Sequence, residues 1–401
     1  MTMAETLLPA AENPFLDNDL ARYLPAPKAE TWRMSTVRPL KEAETAEIDR
    51  LQDIDIERIL PVLQGDVLVM AGGKVTAGMG GVNEGLAASK TGGYAGVSYG
   101  YEADKRRRGE LTPDKGTLPL APLGQVADAW RGGEPDRVRV FCDKKCQLLH
   151  VVHVLPKRGA PISDLLDIEV ADGGELTLIE HFVGLADSTA WMNAARHVRV
   201  ATGGKLTHGV VQNLPFTALL TLTQGVMMAD SADYSLQIIQ NGACFARVES
   251  DIVCGAEVAL DLQAVQHVKT GQTHDVTTRV RFNGPAPRAS VTQRNLVEGG
   301  GLSVFQGKYH VAQAAQKTDA YMRCENLLLD DRAVVNQKPE LEIYADDVKC
   351  SHGASTGGLS DEQLFYLKAR GLPEEVARGL LVEAFMAAGR ERMHDLMKEA
   401  T

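Results

Sequence analysis

The sequence predicts a mainly β fold, with a strand-rich core between an N-terminal α-rich region and a C-terminal helical domain. Short apolar segments recur about every 10–12 residues from Val138 to Val311, which is the spacing of an all-β architecture. Glycine pairs such as Gly173-Gly174 and Gly203-Gly204 precede several of these segments, as turns between strands require. No strong helical periodicity interrupts this stretch. The domains that we expect are, in order, residues 1–135, 136–352 and 353–401.

Composition and charge limit the classes of function. The chain has 401 residues, of which 44% are hydrophobic, so it can bury a large core. Its net charge of −11 argues against general nucleic-acid binding. No apolar run approaches the ~20 residues of a membrane helix, and the first residues do not resemble a secretory signal. Because six scattered cysteines do not suggest a disulfide framework, we expect a cytoplasmic protein that binds neither nucleic acid nor membrane.

Residues 1–135 combine helical and loop patterns with a glycine-rich segment. A loose helical spacing of apolar residues runs from Glu42 to Leu60. The segment Gly78–Gly85 is similar to a nucleotide-binding loop, but its third glycine is displaced and no Gly-Lys-Ser/Thr follows. Ser98 lies in a Gly-x-Ser-x-Gly pattern without the buried strand that must precede a hydrolase nucleophile. We interpret the glycine-rich segment as a surface loop.

The strand-rich core over residues 136–352 is long for one sandwich, and a stacked solenoid accommodates its length more easily. No strict hexapeptide or nonapeptide repeat settles this choice. A β-solenoid can also carry an enzyme that acts on carbohydrate in a surface groove. Such an enzyme needs a cluster of carboxylates along one face and usually a secretory signal, so we keep it as an alternative.

A zinc-binding module is a second alternative. Cys142, Cys146, His150 and His153 are ligand types that zinc accepts, and they lie within about a dozen residues of one another. Their spacing differs from that of a zinc finger. In a strand, His150 and His153 would face opposite sides, which argues against a shared metal. A further histidine, His274, flanks a Lys-Thr-Gly turn, and we expect it at the surface.

The stretch from Asn336 to Gly358 carries the candidate functional residues. Its first half alternates between apolar and polar residues, which predicts a half-buried strand. Asp346-Asp347 breaks the alternation, and we place a corner there. If the chain is extended again after the corner, Cys350 and His352 point to the same face. A thiol and an imidazole on one face can hold a soft or borderline metal such as iron.

Two amphipathic helices are predicted after this stretch. Ser360 and Gln363 form a capping box, Gly371 suits the end of the first helix, and Pro373 suits the start of the second. Either the apolar stripes pack on the β core or they dock another subunit. The stripe of the first helix contains Leu364, Phe365 and Leu367, and that of the second contains Val376, Leu380, Leu381, Ala384 and Phe385.

Two segments closely resemble the C-terminal signature of the SufD-type subunits of the Suf iron–sulfur cluster assembly system. They are Lys338–Ala354, which includes Cys-Ser-His-Gly-Ala, and Asp361–Gly371. The related SufB subunits carry Glu-His-Glu-Ala where this chain has Ser-His-Gly-Ala, so the chain resembles SufD rather than SufB. Further similarity lies in Thr177–Phe182, Val311–Asp319 and Asn326–Leu329, and more weakly in Glu30–Arg33.

This resemblance implies a fold and a function. It implies a right-handed parallel β-helix for the core and a non-catalytic scaffold subunit that pairs with SufB and the SufC ATPase. His352 would lie at the SufB interface and hold a transient iron–sulfur cluster together with a SufB cysteine. Cys350 would lie in the same interface, and the C-terminal helices would bind SufC. A free subunit would be able to form a homodimer through the same exposed edge.

Overall fold

The computed structural model describes part of the N-terminal third and most of the remaining chain. The described residues are 32, 34–35, 38–42, 66–72, 74–79, 91–94, 97–102, 137–158 and 161–398. The helical spacing predicted between Glu42 and Leu60 and most of the segment Gly78–Gly85 therefore lie outside the described residues. The same holds for the side chain of Ser98.

Within the described residues, twenty strands form two ten-stranded sheets. In chain order the strands are β1 (Asp66–Ala71), β2 (Lys74–Met79), β3 (Thr91–Tyr94), β4 (Val97–Glu102), β5 (Arg137–Cys142), β6 (Lys145–Leu155), β7 (Ile162–Val170), β8 (Glu175–Gly184), β9 (Trp191–Val200), β10 (Lys205–Gln212), β11 (Leu219–Met228), β12 (Asp233–Gln240), β13 (Phe245–Cys254), β14 (Ala259–Val268), β15 (Thr273–Phe282), β16 (Arg288–Val297), β17 (Leu302–Val311), β18 (Asp319–Leu328), β19 (Val334–Ile343) and β20 (Lys349–Gly357).

The order of the strands makes the core a parallel β-solenoid. The first sheet runs β2-β1-β6-β8-β10-β12-β14-β16-β18-β20, and the second runs β19-β17-β15-β13-β11-β9-β7-β5-β4-β3. From β5 onward, successive strands alternate between the sheets, and each pairs in parallel with the next strand of its own sheet. Every pair of strands thus forms one coil, and the coils stack in register. The predicted solenoid is confirmed.

Alternating side chains explain why these segments form strands with a core between them. In β10 the inner positions Leu206, His208, Val210 and Gln212 are buried, whereas Lys205 faces outward and is exposed. Turns between coils use residues in the left-handed region, where glycine costs least. Examples are Gly173 at φ 66° and Gly203 at φ 63°. The glycine pairs therefore mark turns, as the sequence predicted.

The N-terminal α-rich region is not supported by the described residues. Before residue 137 they contain one short helix, α1 (Arg38–Glu42), and the four strands β1 to β4. Strand β1 pairs in parallel with β6 and so extends the first sheet beyond the predicted start of the core. Its sequence, Asp-Val-Leu-Val-Met-Ala, is rich in β-formers, and its buried residues Val69 and Met70 pack on the solenoid.

A tryptophan from the N-terminal segment packs on the outer face of the second sheet. Trp32 is buried, and the Arg247 guanidinium carbon lies 4.2 Å from the centre of its ring. The Asn336 side chain donates a hydrogen bond to the carbonyl oxygen of Met34 at 3.0 Å. The segment that bears the weakly similar Glu30–Arg33 text therefore contacts both the middle and the last coil of the solenoid.

Two helices follow the last strand. These are α2 (Asp361–Ala369) and α3 (Glu374–Lys398). The Ser360 hydroxyl accepts a hydrogen bond from the backbone N–H of Gln363 at 3.3 Å, and Gly371 has φ 90°. The predicted cap and helix end are thereby confirmed. Helix α3 lies on the outer face of the first sheet, where Met386 packs among apolar residues of β14, β16 and β18. Among the described residues, no helix is long and apolar enough to cross a membrane.

Candidate functional site

The stack of coils ends in an open face. β19 and β20 are the last strands of their sheets, and in the described part of the chain each pairs with one strand only, β17 and β18 respectively. The residues of β20 are exposed or half-buried along its whole length, whereas β18 still buries alternate residues. The inner surface of the last coil is therefore accessible, whereas β18 buries the same surface in the preceding coil.

Cys350 and His352 lie on this inner surface. Their positions are in register with Ala320 and Met322 of β18, which are buried between the sheets. Cys350 packs against the edge of the core, and His352 is exposed. The corner predicted at Asp346-Asp347 separates β19 from β20. A thiol and an imidazole thus point from one strand into the open end of the solenoid, on the same side as predicted.

The environment of Cys350 favours the neutral thiol. Partial burial raises the pKa of Cys350, and a hydrogen bond with the backbone of Ala320 opposes this shift only in part. From the opposite sheet, the buried Tyr309 hydroxyl donates a hydrogen bond to the Tyr321 carbonyl oxygen at 2.8 Å. Burial raises the pKa of Tyr309, so this phenol stays protonated. The thiolate that would bind a soft metal best therefore needs a neighbouring cation or metal before it forms.

Among the described residues, Cys350 and His352 are two potential metal ligands at the open end, but they do not make a complete metal site. No group of three or more histidine, cysteine, aspartate or glutamate side chains within the described part of the chain could hold a metal ion. Iron in a cluster needs about four ligands. The open end can therefore contribute one or two ligands and would need the rest from another molecule.

The predicted docking residues on the helices differ in how far they are exposed to solvent. Phe365 is 73% exposed and Leu380 is 51% exposed, and Val376 is also exposed. Leu364, Leu367 and Leu381 are half-buried. Helix α2 buries no residue at all. An apolar surface on α2 and the start of α3 is therefore open to solvent.

Phe385 differs from these residues, because it packs on the solenoid of the same chain. Its ring contacts the apolar cluster that includes Val265 and Leu296. The Arg294 side chain donates a hydrogen bond to the Phe385 carbonyl oxygen at 3.3 Å and lies over the ring. Phe385 thus fixes α3 on the solenoid. Packing on the β core was one of the two roles that the sequence allowed for the apolar stripe.

The zinc candidates with described side chains, Cys142, His150 and His153, do not face one common site. His153 points into the core, whereas His150 faces outward and its Nδ1 lies 2.8 Å from His181 Nε2. This opposite orientation is the one predicted from their parity. Cys142 is buried and disulfide-bonded, so its sulfur is not a free thiolate. The side chain of Cys146 lies outside the described residues.

A buried ion network, which the sequence did not suggest, occupies the interior of the early coils. His153 contacts Asp164 at 2.9 Å and Glu180 at 2.7 Å, and Arg196 contacts the same two carboxylates at 2.8 Å and 2.6 Å. His208 contacts Glu180 at 2.9 Å. All five side chains are fully buried. The visible signal was a charged residue at an inner position of an apolar strand, such as Glu180 in Thr177–Phe182.

The pKa values of this network follow from its pairing. Burial alone would raise the pKa of Glu180, but Arg196 and the two histidines hold it well below its usual range. Burial would likewise lower the pKa of His153, but Asp164 and Glu180 together raise it. Both carboxylates are therefore ionised and balanced by cations, which is what a structural network requires.

Comparison with known proteins places the chain in a family. The family model described as "SUF system FeS cluster assembly, SufBD core domain" matches residues 156–385. The chain is 33% identical to the iron-sulfur cluster assembly protein SufD of Escherichia coli (strain K12) over 229 residues, which are 57% of this chain and 54% of that protein. It is 29% identical to Protein ABCI7, chloroplastic, of Arabidopsis thaliana over 266 residues, covering 63% of this chain and 56% of that protein.

A more distant relative agrees with these two. The SufD protein of Bacillus subtilis (strain 168) is 25% identical over 243 residues, covering 60% of this chain and 55% of that protein. The chain spans about half the length of the curated relatives it matches. The family model covers more than half of the chain, including the open last coil and most of the helical region that follows it. The chain therefore belongs to the SufBD core family of iron–sulfur cluster assembly proteins.

Proposed function

We propose that this chain is a SufD-type, non-catalytic scaffold subunit that contributes His352 to a cluster-assembly site shared with a SufB subunit. The observation that carries the proposal is the open last coil, where His352 and Cys350 occupy inner positions and no further coil of the described chain lies above them. A transient iron–sulfur cluster would be the cargo of this site rather than a resident cofactor. The protein would act in the cytoplasm.

The incomplete ligand set supports a shared site. One imidazole and one largely protonated thiol cannot hold a cluster alone, so the remaining ligands would come from a SufB cysteine and its surroundings. The imidazole is the better ligand of the pair in the free chain, because partial burial raises the pKa of Cys350. We therefore assign the principal role to His352 and a secondary role to Cys350.

The open edges of β19 and β20 suit a partner that is itself a strand. Unpaired backbone groups at a sheet edge bind another strand readily, and two edges at the end of one solenoid would bind two strands of SufB. We take the solenoid to be right-handed, as the family resemblance implies. In the absence of SufB, the same edges would allow a homodimer.

The C-terminal helices α2 and α3 would hold the SufC ATPase. The exposed surface of Phe365, Val376 and Leu380 is an apolar patch of the kind that docks another subunit. Phe385 would instead fix α3 on the solenoid. Because α3 rests on the first sheet, which also contains β20, a movement of the ATPase would reach the cluster site through one connected element.

The two alternatives have less support. The carboxylates Asp164 and Glu180 of the solenoid interior are buried and paired with Arg196, so they are not placed to cleave a glycosidic bond in a groove. A zinc site at Cys142–His153 would need His150 and His153 to face one metal, and they face opposite sides of β6.

Co-expression with SufB and SufC from the same organism tests the proposal. The wild type and His352→Ala are compared by gel filtration and by the iron and sulfide bound to the complex. We expect the complex to form in both, with bound iron and sulfide at least about tenfold lower in His352→Ala. Removing a residue that only orients a metal ligand already lowers metal affinity by about tenfold or more, and removing the ligand itself should lower it at least as much. His310→Ala is the matched control, since His310 lies on the outer side of β17, where its ring is tilted against that of Tyr344.

Two further outcomes decide the matter. Full cluster content in His352→Ala would remove His352 from the site, and failure of the wild type to bind SufB would contradict the scaffold role. A Phe365→Ser variant in the same experiment examines the helices. It should lose SufC from the complex and retain SufB, because Phe365 touches solvent in the free chain and its loss leaves the solenoid unchanged.

A further inference from the structure

The last strand needs an anchor that burial does not provide. β20 pairs with β18 along one side, and its residues are exposed or half-buried. Its sequence, Lys-Cys-Ser-His-Gly-Ala-Ser-Thr-Gly, buries little apolar surface. Strands with internal glycines at the end of a sheet open easily. Hydrogen bonds from neighbouring side chains therefore have a large influence on how firmly β20 is held.

Asn326 of β18 supplies such hydrogen bonds. Its side chain is buried, and its amide nitrogen lies 2.7 Å from Gln337 Oε1, 2.8 Å from the carbonyl oxygen of Ser355 and 3.1 Å from Thr356 Oγ1. Gln337 belongs to β19, whereas Ser355 and Thr356 belong to β20. Gln337 Nε2 also donates to Thr356 Oγ1 at 3.3 Å. One asparagine thus joins the two open strands to each other and to the coil beneath them.

Asn326 is itself held from the preceding coil. Its Oδ1 accepts a hydrogen bond from Asn295 Nδ2 at 2.6 Å, and Asn295 Oδ1 accepts one from Gln293 Nε2 at 2.8 Å. Asn295, Asn326 and Thr356 occupy one row in register across β16, β18 and β20. Rows of amide side chains between parallel strands in register reinforce one another. This row connects the buried core to the open end.

We propose that Asn326 is a positioning residue for the cluster-assembly site, an inference that rests on the proposed function. By holding Ser355 and Thr356, it fixes β20 a few residues beyond His352. By holding Gln337 at the same time, it keeps the inner face of β20 opposite β19. Cys350 and His352 then meet an incoming partner in one orientation, so less conformational freedom is lost when the shared site forms.

Three variants of the full chain test this role. Asn326→Leu removes the amide nitrogen that contacts β19 and β20 and the amide oxygen that accepts from Asn295. Thr356→Val removes one hydroxyl at an exposed position and leaves the core unchanged, so it folds even if Asn326→Leu does not. Ser355→Ala is the matched control, because only the backbone carbonyl of Ser355 takes part. Amide hydrogen exchange of residues 349–357 in the isolated chain reports the opening of β20, and a peptide from β13 is the reference.

We expect exchange in β20 to accelerate about tenfold in Asn326→Leu and about threefold in Thr356→Val, since net hydrogen-bond contributions correspond to factors of this size. Exchange in Ser355→Ala and in β13 should match the wild type. In complexes co-expressed with SufB and SufC, bound iron and sulfide should decrease in the same order as exchange increases, while the complex still forms.

Other results would overturn the inference. Unchanged exchange in β20, or equal acceleration in β20 and β13, would mean that Asn326 does not hold the last strand specifically. Faster exchange in β20 with full cluster content would mean that this hold does not serve the site. The proposed function fails by a different result, namely full cluster content in His352→Ala, whatever the exchange data show.

Discussion

The interior coils and the last coil of the solenoid use one strand pattern for opposite purposes. Leu262, Val291, Met322 and His352 occupy one inner row in register across β14, β16, β18 and β20. The first three are buried between the sheets, whereas His352 is exposed. Position in the stack, rather than local structure, therefore decides whether an inner side chain builds the core or is available to a partner.

The same comparison explains where polar residues are tolerated. In the early coils, an inner charge survives because it is paired on every side, as Arg196 is with Asp164 and Glu180. In the last coil, inner polar residues need no such pairing, because solvent reaches them. Substitutions in the buried network should therefore destabilise the fold, whereas the inner row of β20 can carry polar residues that bind a ligand.

The largest effect should come from breaking the buried network. Arg196→Met leaves Asp164 and Glu180 buried without their main cation, which costs about 3–5 kcal/mol in the free energy of unfolding. Urea unfolding of the isolated chain measures this. The matched control on the same strand is Arg199→Met, whose side chain is 61% exposed and lies 3.9 Å from Glu169. That change should stay within about 0.5 kcal/mol. Equal losses in the two variants would contradict a structural role for the network.

The sequence predicted the strand-rich core, and the shared face of Cys350 and His352, better than it predicted the polar contacts inside the core. Strand spacing and turn glycines were sufficient for the solenoid, because every coil repeats the same alternation. Parity placed Cys350 and His352 on one face, which needs only local geometry. The pairing of Glu180 with Arg196 could not be predicted, since Arg196 comes from the opposite sheet. Likewise, the division of the helical stripe at Phe385 depends on where α3 crosses the first sheet.

His274 shows how coil packing overrides a local pattern. It flanks a turn, and the surface position predicted for it is wrong. It begins an inner row of β15, is fully buried, and its Nε2 lies 2.7 Å from the Gly242 carbonyl oxygen. Burial lowers the pKa of His274 from 6.5 to about 4. Between these values the unfolded chain takes up a proton that the folded chain does not, so folding stability decreases as the pH falls.

A smaller, pH-dependent effect follows from this shift. Wild-type stability should lose about 1.4 kcal/mol per pH unit through His274, or about 3 kcal/mol between pH 6.5 and pH 4. His274→Gln removes this dependence, so its urea midpoint should vary less with pH than that of the wild type. His352→Gln is the control from the last coil, where the side chain is already exposed. A slope unchanged in His274→Gln would show that His274 is protonated in both states.

The smallest expected effect on stability comes from replacing a glycine by alanine, and it should differ between an interior coil and the last coil. Gly307 lies in β17 where the Met322 thioether and the Phe305 ring cross the core, and a Cβ atom there would overlap both. Gly307→Ala should cost about 1–3 kcal/mol, with the flexible Met322 side chain favouring the lower end.

Gly353 lies on the outer face of β20 in the last coil, where a Cβ atom would meet nothing within 4 Å. Gly353→Ala should be neutral or should stabilise the isolated chain by up to about 1 kcal/mol, because it restricts the unfolded state. Urea unfolding of both variants measures the difference. If Gly353→Ala cost as much as Gly307→Ala, the outer face of β20 would be packed as closely as the interior of the solenoid.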